Sequence, residues 1–267
     1  MTETPQPPPE DSEAQSERLV QDLRDAIDLG EGKFVRGTLD DMHPADASDL
    51  LEQLSSERFE AVVELLGGEL PTDILIELRE EYREDAVEVM SDEAVVEALD
   101  ELETDDATAV LEDLDEDRRE RILEELEPED RAVLEASFEF DEDTAGRLMQ
   151  REFLSAPEFW TIGQTIDFTR DNADTLPTDF YEVYVVDPMN KPLGYVLLSQ
   201  LLRAGRQVKL ADIMAPFSSD IHVDQDQEEV AYLFKQYRLS SAAVVNDMGA
   251  LIGVITIDDI VDVITEE

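Results

Sequence analysis

The strongest constraint on the fold is a pattern that occurs twice in the second half of the chain. Residues 180–187 are rich in β-branched and aromatic side chains, and a second apolar run at 193–198 follows a turn at 188–191. The same order returns as a run at 241–246, a turn at 247–249 and a run at 250–256. Short runs of this composition, separated by turn residues, predict paired β-strands.

Each strand pair is also flanked by helical segments. Amphipathic stretches at 162–172 and 227–238 precede the two pairs, and helical stretches at 199–204 and 257–266 follow them. The ten residues at 185–194 align with those at 244–253, and Met149 aligns with Met214 at the two openings. The sequence therefore predicts an internal duplication of an α-β-β-α unit.

The first half of the chain has a helical pattern throughout, from Glu17 to about Phe138. Apolar residues follow helical spacing, and short units close on paired leucines. Ser55, Ser91 and Thr104 are predicted N-caps, and Pro44, Pro71 and Pro128 fall where a first helical turn tolerates proline. Units this short cannot bury an apolar stripe alone, so we expect them to stack as an α-superhelical array.

Charge and composition exclude several classes of function. The chain has 69 acidic and 20 basic residues, a net charge of −49, which disfavours binding to nucleic acid or to an anionic lipid surface. The absence of cysteine excludes disulfide scaffolds, thiolate zinc sites and thiol catalysis. Hydration in concentrated salt explains such acidity as well as cation binding does, so both explanations stay open.

The chain carries no signal for export or for membrane insertion. Residues 1–16 are acidic and rich in proline, which predicts a disordered leader and not a signal peptide. No run approaches the roughly 18 apolar residues that a membrane helix needs. We therefore expect an intracellular protein.

The duplicated unit resembles a tandem pair of CBS domains, also called a Bateman module. With the helical array in front, the chain from about Leu19 to Glu267 resembles the cytosolic part of the MgtE magnesium channel/transporter family. The matching segments are the junction motif at 142–149 and the stretches at 181–187, 224–231 and 253–264.

This resemblance implies a multidomain α and α/β protein, with an N-terminal α-superhelical domain followed by a tandem CBS (Bateman) α+β domain pair. The expected boundaries are a leader at 1–16, the superhelical domain at 17–146, the first CBS domain at 147–212, and the second CBS domain with the start of a connecting (plug) helix at 213–267.

The resemblance also implies a function. In the family, Mg²⁺ bridges acidic residues of the helical and CBS domains and holds the channel closed, whereas low Mg²⁺ releases the helical domain. We therefore expect a homodimer formed through the CBS domains, linked to its own transmembrane pore domain at the cytoplasmic side of a bacterial or archaeal cell membrane. The sequence leaves open whether this chain is a fragment of such a protein or a natural protein without a pore.

The family's magnesium ligands carry over to individual positions of this sequence. They fall on Glu77 and Asp105, with Asp106 beside it, in the helical domain and on Glu228, Asp259 and Asp262 on the CBS side, where the neighbouring Asp258 could substitute. Glu229 is a possible substitute, and Glu266 or Glu267 begins the contribution of the connecting helix. Mg²⁺ takes oxygen ligands and keeps several waters, so its sites leave no sharp motif.

Other interpretations of these residues remain open. Each carboxylate is explained equally well as a solvated surface charge, and Asp105 with Asp106 as a complement to a helix dipole. Lys235 and Arg238 stand where relatives often offer an oxygen ligand, so a salt bridge could replace an ion. Ala109 is a similar departure, and Arg147 replaces a glycine of the junction motif.

A second hypothesis comes from a different class of function. CBS clefts commonly bind adenine nucleotides, and Gly253, Thr256 and Asp259 match the ribose-phosphate pattern. The equivalent positions of the first repeat, Leu197 and Gln200 after Gly194, lack the hydroxyl and the carboxylate. The alternative is thus a stand-alone, soluble CBS-pair sensor of adenine nucleotides such as ATP, without a pore. An enzyme is not predicted, because no nucleophile with a positioned base is found.

Overall fold

The computed structural model describes residues 10–173, 176–177, 180–217 and 220–266, with the backbone alone for 10–17, 262, 265 and 266. It divides into two compact units. The helical unit comprises the chain up to Leu102 and Ala109–Arg131, and the repeat unit comprises Glu103–Thr108 and Ala132–Glu267. Most of the expected leader lies outside the described residues, and helix α1 begins at Glu10, ahead of the predicted Glu17.

In the described chain, ten α-helices and then a short turn of helix at the junction precede the first strand. They are α1 (Glu10–Leu29), α2 (Gly32–Asp40), α3 (Pro44–Leu51), α4 (Ser56–Leu65), α5 (Thr72–Ile76), α6 (Glu80–Val89), α7 (Asp92–Glu101), α8 (Thr104–Glu112), α9 (Glu116–Glu125) and α10 (Pro128–Ser137). The boundary between the units cuts α8 and α10, so each of these helices contributes residues to both units.

Local capping explains where several of these helices begin. Pro44 opens α3 and Pro128 opens α10, where a missing N–H costs nothing. Ser91 caps α7 by accepting a hydrogen bond from the amide of Ala94. The prediction that Thr104 is an N-cap is wrong, because Thr104 is the first residue of α8 and its hydroxyl donates to Glu152 instead.

The repeat unit contains the predicted duplication. After α11 (Ala145–Leu148), the first repeat runs through β1 (Ser155–Pro157), α12 (Ile162–Asp171), β2 (Glu182–Val186), β3 (Pro192–Leu197) and α13 (Leu198–Arg203). The second runs through β4 (Ile221–His222), α14 (Gln227–Tyr237), β5 (Ser241–Val245), β6 (Leu251–Thr256) and α15 (Ile257–Glu266). In each sheet the central strand pairs in parallel with the first strand and antiparallel with the last. The expected fold class is therefore confirmed.

The two repeats exchange their opening segments. Gln150, next to Met149, forms a bridge with Val254 of β6, and Ala215, next to Met214, forms one with Tyr195 of β3. A glycine in each last strand permits this approach. A Cβ on Gly253 would lie 2.5 Å from Met149 Sδ, and one on Gly194 would clash with the Ala215 carbonyl oxygen. The exchange places residues 149–152 beside β6, at whose end α15 begins.

Candidate cation site

Six carboxylates of the repeat unit act on one another, and we call them the acidic cluster. They are Glu103, Asp105 and Asp106 at the start of α8, Glu152 between α11 and β1, and Asp258 and Asp259 in the first turn of α15. Acidic residues are favoured at both helix starts, because the unpaired amides there carry partial positive charge. The fold thus assembles carboxylates that lie up to about 150 residues apart in sequence into one group.

Asp259 has a structural role within its own helix. Its Oδ2 atom accepts hydrogen bonds from the amide of Thr256 at 2.9 Å and from the Thr256 hydroxyl at 2.8 Å. The carboxylate thus reaches back to the residue before α15, as the acidic residue of a capping box does. Burial raises the pKa of Asp259 to about 6, although the bonds from Thr256 act in the opposite direction.

Asp105 lies beside Asp259 in the acidic cluster. Its Oδ1 atom is enclosed and has no hydrogen-bond partner among the described residues. Burial, and then the charges of Asp259 and Asp106, raise the pKa of Asp105 well above its ordinary value. A hydrogen bond between the side chains of Asp105 and Asp259 lowers the pKa of Asp259 and so acts against burial.

Glu103 and Glu152 complete the cluster. Burial raises the pKa of Glu103 to about 7, and the nearby charge of Glu152 is the next cause. Glu152 accepts hydrogen bonds from the Thr104 hydroxyl at 2.7 Å and from the amides of Thr104 and Arg151 at 3.1 Å and 3.0 Å. Glu152 is therefore bonded to fixed donors, whereas Glu103 and Asp105 face other carboxylates.

The donor type of the acidic cluster suits a hard divalent cation. Every candidate ligand is an oxygen, the donor type that Mg²⁺ and Ca²⁺ prefer. A buried carboxylate oxygen without a hydrogen bond costs free energy unless a proton or a cation satisfies it, and Asp105 Oδ1 is such an atom. Burial, and to a lesser extent the charges of neighbouring carboxylates, raises the pKa of three members of the group.

Two family profiles match the sequence. The profile described as the MgtE intracellular N domain covers residues 42–143, and the CBS domain profile covers residues 210–266. Among solved structures, the cytosolic domain of the Mg²⁺ channel MgtE in complex with ATP is 31% identical, with a TM-score of 0.80. The match covers 91% of this chain and 99% of that domain. The chain belongs to the MgtE family.

Further relatives agree with this assignment. The soluble part of a magnesium transporter is 25% identical, with a TM-score of 0.77 over 94% of this chain and 98% of that structure. The magnesium transporter MgtE of Thermus thermophilus is 36% identical over 137 residues, which are 51% of this chain and 30% of the transporter. For MgtE of Enterococcus faecalis the identity is 34%, over 48% of this chain and 28% of the relative. The chain thus spans about 30% of the length of these transporters.

The structure brings four of the ligands expected from MgtE into the acidic cluster, namely Asp105, Asp106, Asp258 and Asp259. Glu77 lies in the other unit, exposed at the C-cap of α5. Glu228 is exposed in the first turn of α14, and the charges that act most on Asp105 and Asp259 come from other residues. The side chains of Asp262 and Glu266, and the whole of Glu267, lie outside the described residues.

Sequence reasoning missed Glu103 and Glu152. Glu103 directly precedes the expected ligands, so its place one residue before the helix was an available signal. Glu152 offered no such signal, because it lies 48 residues from its partner Thr104. Arg147, which replaces a glycine of the junction motif, contacts residues just before it in the chain. Its Nη2 atom donates a hydrogen bond to the Phe140 carbonyl at 2.7 Å, and its guanidinium lies 5.0 Å from the centre of the Phe138 ring.

The residues of the expected nucleotide half-site have other structural partners. Gly253 is needed for the close approach of Met149, and both donors of Thr256 bond Asp259. These contacts explain the residue types without a nucleotide, but they test neither its presence nor its absence.

Within the described residues, three possible metal ligands have their ligand atoms within 4.8 Å of one another at two places, and the acidic cluster is not one of them. One consists of His222, Asp224 and Asp247 in the repeat unit, and the other of Glu80, Glu84 and Asp113 in the helical unit. In the first group the carboxylates are largely exposed, and in the second Asp113 is already paired with Arg83. Neither group contains an unsatisfied buried oxygen comparable to Asp105 Oδ1 within the described residues.

Proposed function

We propose that this chain is the cytosolic Mg²⁺-sensing regulatory region of an MgtE-type magnesium channel or transporter. Membership of the MgtE family supports its place in a magnesium transporter, and the acidic cluster supports Mg²⁺ as its ligand. The single observation that carries the proposal is the enclosed, unbonded Oδ1 of Asp105 within a group of oxygen donors. Mg²⁺ would be held by Asp105, Asp259 and their neighbours Glu103, Asp106 and Asp258.

Simple electrostatics accounts for a switch of this kind. Two like charges 4 Å apart repel by about 4 kcal/mol at an effective dielectric constant near 20. Moving a two-state equilibrium from 1:99 to 99:1 takes about 5.5 kcal/mol. A few facing carboxylate pairs, repelling when ionised and bridged by a cation, supply free energy of that order.

The conformational response follows from the position of the cluster. At low Mg²⁺, repulsion would release residues 103–108 from the start of α15, and bound Mg²⁺ would hold them together. Because α8 continues beyond residue 108, release of this segment would free the helical domain, as the resemblance to MgtE implies. In the full-length protein this change would open a membrane pore domain at the cytoplasmic side of the membrane. No helix of the described ranges is long and apolar enough to cross a membrane itself.

A homodimer is the expected assembly. Helix α15 buries Ile260 and Val263 but exposes Ile257, Val261 and Ile264, which share one face at helical spacing. Leu202 on α13 and Tyr232 on α14 are also exposed. Apolar stripes of this kind favour burial against a second copy. Light scattering should detect a dimer that Val261→Glu weakens; a wild-type monomer at all concentrations would contradict the assembly.

Calorimetry tests the proposed ligand directly. We expect Mg²⁺ to bind the wild-type chain, Asp105→Asn and Asp259→Asn to weaken binding at least about tenfold, and Asp73→Asn to change it little. Asp73 is a matched control because it is an exposed acid in the first turn of α5. Equal affinities for all four proteins would refute the site. Protease sensitivity of residues 103–108 that is identical in EDTA and in Mg²⁺ would refute the switch.

ATP is a second candidate ligand, because the solved MgtE cytosolic domain that resembles this chain was crystallised with it. A stand-alone ATP sensor would bind ATP without Mg²⁺ and would lose binding in Thr256→Val. The regulatory hypothesis requires instead that Mg²⁺ binds in the absence of nucleotide. Titrating ATP and Mg²⁺ separately distinguishes the two functions.

A further inference from the structure

The start of helix α8 is held by a residue that is remote in sequence. The carboxylate of Glu152 accepts hydrogen bonds from both the amide and the hydroxyl of Thr104, and from the amide of Arg151. Thr104 is buried, so its hydroxyl cannot bond water instead. A helix start usually finds this oxygen on the preceding side chain, and here Glu152 supplies it from 48 residues away.

Glu152 differs in kind from the other members of the acidic cluster. It receives three hydrogen bonds, at 2.7 to 3.1 Å, from donors that do not titrate, and the partial positive charge of the α8 start also favours it. Asp105, one residue after Thr104, has an oxygen without any such donor. The Glu152 contact therefore does not depend on a bound cation, whereas Oδ1 of Asp105 needs a proton or a cation to satisfy it.

We infer that Glu152 is a positioning residue: by bonding Thr104 it holds residues 103–108 in place, so that the neighbouring carboxylates can capture Mg²⁺ at low concentration. This inference rests on the proposed function and adds a regulatory element to the same site. The contact organises the site before the cation arrives, and the Mg²⁺ concentration at half-saturation depends on it.

A different role for Glu152 would be that of one more negative charge near Glu103. The two roles predict different behaviour for Thr104→Val, which keeps the shape and the charge but removes the hydroxyl that Glu152 accepts. A positioning role makes Thr104→Val resemble Glu152→Gln. A purely electrostatic role makes only Glu152→Gln change Mg²⁺ binding.

Titration of the full chain with Mg²⁺, with the heat of binding measured by calorimetry, tests the inference. Thr104→Val and Glu152→Gln should each raise the Mg²⁺ concentration at half-saturation about tenfold, which corresponds to about 1.4 kcal/mol. Thr104→Ser, which restores the hydroxyl, should stay near wild type. Glu142→Gln removes one exposed charge of the same junction segment and serves as the control. Wild-type binding in Thr104→Val would overturn the positioning role.

Hydrogen exchange in EDTA separates this inference from the proposed function. Amides of residues 103–108 should exchange faster in Thr104→Val and Glu152→Gln than in the wild type, because the contact exists without the cation. If the wild type failed to bind Mg²⁺ while this difference held, the proposed function would fall and the Glu152 contact would stand. If the exchange rates were identical in all variants, the positioning role would fall even where Mg²⁺ binds.

Discussion

Buried carboxylates have opposite kinds of neighbour in the two units of this protein. In the helical unit, Asp113 is almost fully enclosed and pairs with Arg83 at 2.6 Å. In the repeat unit, Asp105 is enclosed beside Asp259 and has an oxygen without a hydrogen bond. The same residue type thus has a permanent cation in one place and other carboxylates in the other.

Arginine serves as the permanent cation at more than one point of the helical unit. Arg118 donates to Asp92 at 2.7 Å and also to the carbonyls of Val87 and Met90, which lie near the end of α6. These contacts join α9 to the segment between α6 and α7. The comparison shows that arginine pairs with a buried acid in the helical unit, whereas Asp105 in the repeat unit lies among other carboxylates.

Breaking an arginine pair should have the largest effect. Arg83→Met leaves Asp113 enclosed without its partner and should lower the free energy of unfolding by about 3–5 kcal/mol. Urea denaturation followed by circular dichroism measures this loss. Arg83→Met combined with Asp113→Leu should recover most of it. A single variant as stable as the wild type would show that the pair is not important for the helical unit.

Neutralising a carboxylate of the acidic cluster should raise the free energy of unfolding, the opposite of breaking an arginine pair. In EDTA, Asp105→Asn removes a buried charge and adds a donor next to Asp259, so it should raise the free energy of unfolding by about 1–3 kcal/mol. At a Mg²⁺ concentration a hundred times the wild-type dissociation constant, the wild type should then gain about 2.7 kcal/mol and the variant at most about 1.4 kcal/mol. If the variant were less stable than the wild type in EDTA, the contrast between the buried acids of the two units would be wrong.

The pH dependence of stability provides a smaller effect. The pKa of Glu103 rises from 4.5 to about 7 in the folded protein, so the fold favours the protonated form. This stabilisation is complete below about pH 4.5 and is lost as the pH rises towards 7. Because the side chain is partly exposed, we expect the loss in EDTA to be only about 1–2 kcal/mol. Glu103→Gln should remove this part of the pH profile; an unchanged profile would contradict the assignment.

An exposed ion pair should have the smallest effect. Arg206 and Asp167 are bonded at 2.6 Å in the repeat unit, but about half of each side chain is exposed. Arg206→Ala should therefore change stability by no more than about 1 kcal/mol, and less in high salt. A loss as large as that of Arg83→Met would mean that burial is not what distinguishes the ion pairs of this chain.

The elements of the repeats were predictable from local patterns. The predicted helices at 162–172 and 227–238 correspond to α12 and α14, and the strand pairs also fall close to their observed positions. Side-chain period and turn chemistry are short-range properties, and the duplication supplied each signal twice. The short strand β1 was missed, because three residues are too few to show alternation.

The candidate site was predictable only in part. The family resemblance identified Asp105 and Asp259 among 69 acidic residues, which their chemistry alone does not distinguish. Thr104 was predicted as a cap because its residue type and position suit one, but the cap at this helix comes from Glu152. Contacts of this kind depend on how distant segments meet, and residue spacing does not encode that.

The sequence by itself determined the helices, the strand pairs, the duplication and the large excess of negative charge. Only the tertiary structure decided which of those charges meet. Local conformation follows from neighbours along the chain, whereas contacts between distant segments bring Glu152 to the start of α8 and Asp105 to Asp259. Burial then gives these few carboxylates raised pKa values, and the resulting need for a proton or a cation is a property of the fold.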